Sequence, residues 1–264
     1  MLNKNLQLPK RKVESHKGDY GRALIVAGSP GMTGAAILAS RGALRVGTGL
    51  TYLALPKELV NFVDMATPEV ITLPFENIAG VKASAAAIGP GLGTSNLAKK
   101  LLIQMLAQAK RLVIDADGIN LLAQDLKLLK KIKGEVVLTP HPGEMARLVN
   151  RPINIIQDTR VNVAKEVAGK YNCIVVLKGH KTVVAEPNGE VYVNETGNPG
   201  MASGGVGDVL AGMITGLLAQ GLSAWDAAVT GVYLHGKAGD LAAKEKGEYG
   251  MIASDLVEKI PYAL

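Results

Sequence analysis

The chain has little of what would mark it for secretion or for a membrane. Among its 264 residues Cys173 is the only cysteine, so no intrachain disulfide can form. It lies in the apolar run "NCIVVLKG" and reads as a small buried hydrophobe rather than a nucleophile. The polar stretch "MLNKNLQLPKRKVESHKGDYG" has no apolar core of a signal peptide, and no uninterrupted apolar run is long enough to span a bilayer. A cytoplasmic protein is expected. Aromatic residues make up 4% of the chain, and no basic stripe is interleaved with them, which argues against a nucleic-acid partner. The common phosphate signatures are also missing. There is no G-x-x-x-x-G-K-[ST], and "GPGLG" is not G-x-G-x-x-G, so a P-loop enzyme or a Rossmann dinucleotide fold is disfavoured.

What is present is typical of a soluble globular protein: 48% hydrophobic residues, 20% charged, and 31 glycines. The net charge of +6 is mild and scattered, with its densest cluster at Lys10, Arg11 and Lys12. It favours small anionic ligands. Short β-type runs alternate with helical patterns. "ALIVAG" (23–28), "LTYLALP" (50–56), "EVITLP" (69–74), "ASAAAIG" (83–89), "RLVIDAD" (111–117) and "EVVLTP" (135–140) read as strands. Residues 33–47, 95–110 and 159–172 read as helices, the second capped by Ser95 or Thr94. "CIVVLKG" resumes the alternation, and "KTVVAEP" with "EVYVNE" forms a hairpin about Asn188-Gly189. Helices are expected over 206–220, 223–243 and 253–259. This alternation predicts a largely parallel sheet with helices on both faces, in one domain over 1–264 that includes an N-terminal extension, 1–16.

In such sheets ligands gather at the carboxyl ends of the strands. The polar tips here are "GSPGMTGAA", "GPGLGTS", "DADGIN", "TPHPGE", "KGHKT" and "GNPGMASGGVGD". Asp115 and Asp117 could hold Mg²⁺ or a sugar hydroxyl, or Asp117 could cap a helix beginning near Gly118. His141, between two prolines, is a rigid ligand contact or a structural histidine, and Glu144 opens the next helix. Lys178 could neutralise a phosphate, with His180 and Thr182 as donors, or be a charged strand end. Gly204, Gly205 and Gly207 precede an apolar helical run, so free amides and the helix dipole would make an anion hole there. Asp208 in the first turn is then either a helix-start acid or a base beside that anion.

Taken in order, "GSPGMTGAAILASRGALRVGTGLTYLALP", "AAIGPGLG", "VIDADGINLLA", "LTPHPGEMARL", "VVLKGHKTVV" and "NPGMASGGVGDVLAGMITGLLAQG" resemble the ADP-dependent NAD(P)H-hydrate dehydratases of the ribokinase-like superfamily. The resemblance runs from Lys17 to the closing "GMIASDLVEKIP". It implies a ribokinase-like three-layer α/β sandwich and repair of hydrated NADH or NADPH (NADHX, NADPHX). The S epimer's ring hydroxyl would be phosphorylated from ADP, or ATP, and phosphate would then leave, giving AMP. It implies Asp208 as base and amides of Gly204, Gly205, Val206 and Gly207 around the transferring group. Lys178, Gly179, His180, Lys181, Thr182 and Gly207 would contact the nucleotide. The hydrate would meet Ala35 or Ala36, Gly91 or Gly93, His141 and Asp208. Mg²⁺ would accompany the nucleotide, with no protein ligand assignable. The resemblance also implies a homotetramer and a separate epimerase partner, because the fused epimerase domain is absent from this sequence. Ser203 and Val206 stand where many relatives carry threonine. The rivals are an ATP-dependent kinase of a vitamin alcohol, such as hydroxyethylthiazole kinase, and a non-catalytic nucleotide-binding regulator.

Overall fold

In the computed structural model residues 8–131 and 133–264 are described; residues 1–7 of the expected extension lie outside the described residues. The chain begins its sheet with β1 (Arg22–Val26) and crosses through α1 (Thr33–Arg45) to β2 (Leu50–Leu55). From there α2 (Val60–Ala66) leads to β3 (Ile71–Pro74). The chain then returns to the other side of β1 as β4 (Ala85–Ile88) and alternates through α3 (Asn96–Gln108), β5 (Arg111–Ile114), α4 (Ala116–Gln124) and β6 (Glu135–Leu138). Three helices, α5 (Pro142–Val149), α6 (Ile153–Asp158) and α7 (Arg160–Tyr171), precede β7 (Ile174–Leu177). A hairpin, β8 (Val183–Ala185) and β9 (Val191–Val193), closes the sheet, and α8 (Val206–Ala219), α9 (Ala224–Lys246) and α10 (Ala253–Ala263) complete the chain.

The nine strands order as β3-β2-β1-β4-β5-β6-β7-β8-β9. From β3 to β7 every pairing is parallel, and only the hairpin is antiparallel. This is the three-layer sandwich expected from the sequence. The strands read as unbroken apolar runs because both faces are covered. Alternate residues serve different layers: Ala23, Ile25, Ala85, Ala87 and Val113 face α1, α8, α9 and α10, while Leu24, Val26, Ala86, Ile88 and Leu112 face α3, α4 and α7. Alanine-rich β4 has weak intrinsic strand preference, yet it pairs on both sides. Its small side chains leave room for α8, so tertiary packing overrides propensity.

Helix α8 is apolar all round and buried along nearly its whole length. It packs against α1 through missing side chains. A Cβ on Gly212 would fall 1.9 Å from the Ala39 carbonyl oxygen, and one on Gly42 would fall 2.4 Å from that of Val209. This close contact fixes where the amino end of α8 emerges.

Differences from the sequence reading are local. The Ser95 cap is present, its hydroxyl accepting from the Ala98 N–H at 3.2 Å. Strand β5 stops at Ile114 rather than 117 because α4 already begins at Ala116. The short helices α2 and α6 were not anticipated; each spans less than two turns, too little for a periodic signal. Helix α10 continues to Ala263 through Pro261, since a proline in the last turn removes few bonds and Ile260 and Ala263 are buried.

A Gly212→Ala substitution is expected to destabilise the protein by about 1–3 kcal/mol through overpacking. Gly34→Ala, where an added Cβ meets nothing within 4 Å, should be neutral or stabilising, as measured by urea denaturation. Equal effects would contradict the close α1–α8 contact.

Candidate active site

Three neighbouring strand ends converge on one buried carboxylate. In-register pairing of Ile114 with Leu138 puts Asp115 beside Thr139, and the Lys178 N–H donates to the Pro140 carbonyl at 2.8 Å one strand further on. The Asp115 side chain is 1% exposed. Its Oδ1 accepts from Lys178 Nζ at 2.6 Å and from the Thr139 hydroxyl at 2.8 Å. Glu144 Oε2 lies 3.9 Å from the same ammonium. Burial pulls Lys178 downward, but the charges of Asp115, Glu144 and Asp208 hold it above its ordinary value. The cation is therefore permanent. Removing it would strand the buried carboxylate, at a cost of about 3–5 kcal/mol.

Asp115 and Asp117 do not form a joint cation site. Asp117 turns away, its Oδ2 accepting from the Gly93 N–H at 2.8 Å and its Oδ1 from Asn120 Nδ2 at 3.1 Å. It braces the Gly91–Gly93 loop and caps nothing near Gly118. No group of three His, Cys, Asp or Glu side chains among the described residues could hold a metal ion.

The segment His141-Pro142-Gly143-Glu144 is a reciprocal cap on α5. His141 Nδ1 accepts from the N–H groups of Gly143 (3.0 Å) and Glu144 (3.3 Å), and Glu144 Oε2 accepts from the His141 N–H at 2.8 Å. With Nδ1 used as an acceptor, the ring proton sits on Nε2, 3.3 Å from Glu144 Oε1. Burial, then the charges of Lys178 and Arg147, lowers the His141 pKa, so its ring is neutral. Burial raises the Glu144 carboxyl.

The glycine stretch forms a cradle at the amino end of α8. Gly205 is in the left-handed region at φ +89°, and a Cβ there would meet Leu38 Cδ1 at 2.4 Å. The Val209 N–H donates to the Gly205 carbonyl at 3.1 Å, and that of Val206 turns toward Ser203 O at 3.5 Å. Among the described residues no acceptor faces the N–H groups of Gly207 and Asp208. Of the amides expected to form the hole, those of Gly204, Gly205 and Gly207 meet no acceptor among the described residues, that of Asp208 joins them, and that of Val206 is partly engaged. Asp208 sits in this first turn, half-buried. Burial, followed by the Asp115 charge, pushes its carboxyl up to about 7 against the opposing pull of Lys178.

Beside the cradle lies a cavity of about 760 Å³, lined by His141, Lys178 to Thr182, Asn194, Thr196 to Pro199, Ser203, Val206, Gly207 and His235. Its volume is in the range of organic-ligand pockets. The structure thus brings together the expected nucleotide residues of both segments. Ala35, Gly91 and Gly93 lie elsewhere, where strand order reverses between β1 and β4. There the Gly28 N–H donates to Pro90 O at 2.9 Å and the Ser29 hydroxyl to Gly91 O at 2.8 Å. A Cβ on Gly91 would meet Ala35 at 3.1 Å, whereas Ala36 packs under Gly28, so of the two it is Ala35 that lies against the Gly91 loop. Such a switch point is a regular ligand crevice.

Several residues that hold the cavity wall in place escaped the sequence reading. Asp240 accepts from the Gly197 N–H at 3.0 Å and from Asn198 Nδ2 at 3.1 Å, and the Thr196 hydroxyl donates to Tyr233 O at 2.9 Å. These bonds lash the glycine loop to α9. The polar run "NETGNPG" after the last strand was the available signal. His235 had none, standing alone inside a helix.

A family described as NAD(P)H-hydrate dehydratase matches residues 23–262. The chain belongs to the NAD(P)H-hydrate dehydratase family. It is 45% identical to the bifunctional NAD(P)H-hydrate repair enzyme of Moorella thermoacetica over 98% of this chain and 52% of that one. It therefore spans about half the length of the bifunctional relatives. It is 37% identical to the ADP-dependent (S)-NAD(P)H-hydrate dehydratase of Neisseria meningitidis, over 97% of this chain and 90% of the other. The fold is similar to that of the Bacillus subtilis ADP/ATP-dependent NAD(P)H-hydrate dehydratase co-crystallised with ATP and Mg²⁺. That similarity has a TM-score of 0.87 at 35% identity, over 97% of this chain and 93% of the other.

In this family member the raised Asp208 carboxyl has a consequence for stability. A carboxyl with a higher pKa in the folded state favours folding while protonated. That contribution is complete below the unfolded value near 3.9 and is lost as pH rises through about 7. Asp208→Asn cannot ionise. Its melting temperature should gain on the wild type between about pH 4 and about pH 7. A constant difference would contradict the assigned burial of the charge.

Proposed function

We propose that this chain dehydrates the S epimer of NADHX or NADPHX using ADP as phosphoryl donor. The observation that carries the reading is the half-buried Asp208 beside the free amides of Gly207 and Asp208, next to the cavity that Gly207 and Lys178 line. ADP would lie in that cavity with its terminal phosphoryl at the cradle, and the hydrate would enter from the Ala35–Gly91 crevice. The Asp208 carboxylate takes the proton of the ring hydroxyl as that oxygen attacks the terminal phosphorus, and the bond to AMP breaks. The amides and Lys178 face the charge that spreads over the transferring oxygens. Phosphate then leaves the ring with its bonding electrons, and loss of a ring proton restores the reduced nicotinamide. A hydroxyl is a poor leaving group, and phosphate a good one.

Mg²⁺ has no ready-made protein cage here, since Asp115 Oδ1 and both Asp117 oxygens are already engaged and no three-ligand cluster exists among the described residues. An ion carried on nucleotide oxygens fits the site better than one held by the protein. Cytoplasmic location, a homotetramer and functional pairing with an NAD(P)HX epimerase belong to the same reading. No helix among the described residues is long and apolar enough to cross a membrane.

A vitamin-alcohol kinase would use a similar base and anion hole, so the substrate decides. Purified protein with NADHX and ADP should restore the reduced-nicotinamide absorbance. Asp208→Asn should reduce kcat by about 10²–10⁴-fold. An acid limb of kcat near pH 7 is expected, because only ionised Asp208 can accept the proton. Absence of recovery with either ADP or ATP would overturn the proposal.

A further inference from the structure

His235 stands in the middle of α9, is 7% exposed, and lines the cavity. Its Nε2 lies 2.9 Å from the Val206 carbonyl oxygen, so the ring proton sits on Nε2 and is donated there. The Val206 carbonyl and the Gly207 N–H belong to one planar peptide unit, and in a trans peptide they point in opposite directions. Gly207 N–H is one of the two first-turn donors that no acceptor faces. A bond that pins the carbonyl therefore aims the amide, and drawing electron density toward the oxygen makes that N–H a stronger donor. Burial, with the neighbouring Lys178 charge, pushes His235 down to about 4, so the ring is neutral at working pH.

We propose that His235 is a positioning residue that orients and polarises the Val206–Gly207 peptide, so that the Gly207 amide meets the transferring phosphoryl group. This deepens the reading above and rests on it. The site supports the role on three sides. The ring is fixed by a helix whose Gly236 lets the Thr196 backbone approach, since a Cβ there would fall 2.7 Å from the Thr196 carbonyl carbon. Gly207 leaves room for Lys178 Nζ, 3.4 Å from where its Cβ would be. The first turn of α8 has no side-chain cap to set the peptide otherwise.

Two amide variants separate the role from simple packing. Gln can place its NH₂ where His235 carries Nε2, whereas Asn is too short to reach Val206 O. With wild type active on NADHX and ADP, His235→Gln should keep kcat within about threefold. His235→Asn should lose about tenfold or more, short of the ~10²–10³-fold lost when an oxyanion donor is removed outright. In His235→Asn the affinity for AMP should fall less than kcat does, because AMP lacks the phosphoryl group that the amide meets. The amide-proton resonance of Gly207 should move in His235→Asn and return toward its wild-type position in His235→Gln. That readout does not depend on turnover, so an inactive wild type would count against the dehydratase reading and leave the positioning claim to the Gly207 shift. An Asn variant with wild-type kcat, an unmoved Gly207 resonance, or a parallel loss of AMP affinity would overturn the proposal. If His235→Asn fails to fold, loss of kcat in a folded His235→Gln overturns it, and retention supports it.

Discussion

The ion pair between Asp115 and Lys178 is the constraint on which the rest of the site depends. A carboxylate with 1% exposure is tolerable only with a cation and a hydroxyl donor at hand, and both come from adjacent strand ends. Because β5, β6 and β7 are parallel and in register, satisfying Asp115 also decides where Lys178 can put its charge. That charge draws Glu144, and through it the His141 cap, to the same point. At Asp208 the Asp115 charge adds to burial and outweighs the opposing pull of Lys178, so the carboxyl titrates near neutrality.

The second element is α8, whose amino end must arrive opposite this cluster. It gets there by backbone contact with α1, made possible by Gly42 and Gly212. The loop before α8 is held from the other side, by Asp240 on Gly197 and Asn198 and by the Thr196 bond to Tyr233. The cradle is therefore clamped between a sheet, a buried helix and α9. A rigid array of amides can stabilise a developing charge without reorganising as it forms.

Much of this was legible in the sequence. Strand–helix alternation predicted the parallel sheet, and polar strand tips located Asp115, His141, Lys178 and Asp208. The motifs quoted from those tips carried the family resemblance, which the match over residues 23–262 bears out. What could not be read was pairing. "DADGIN" looks like a carboxylate pair, but only the register shows that Asp115 belongs to Lys178 and Asp117 to the Gly93 loop. "HPGE" suggested a rigid ligand contact, whereas reciprocal capping, and with it the tautomer of His141, appears only in three dimensions. His235 and Asp240 act across the fold on segments about 30–40 residues away, beyond the reach of any local pattern.

In the proposed reaction the cradle delivers a phosphoryl group to the hydrate's own hydroxyl, so that phosphate, rather than water, leaves the ring. The direct test follows the fate of that oxygen. NADHX carrying a heavy-oxygen label on the ring hydroxyl would be turned over with unlabelled ADP, and the released phosphate examined by mass spectrometry. The account predicts one labelled oxygen in each phosphate formed with restored NADH. Label appearing in water, with unlabelled phosphate, would contradict it.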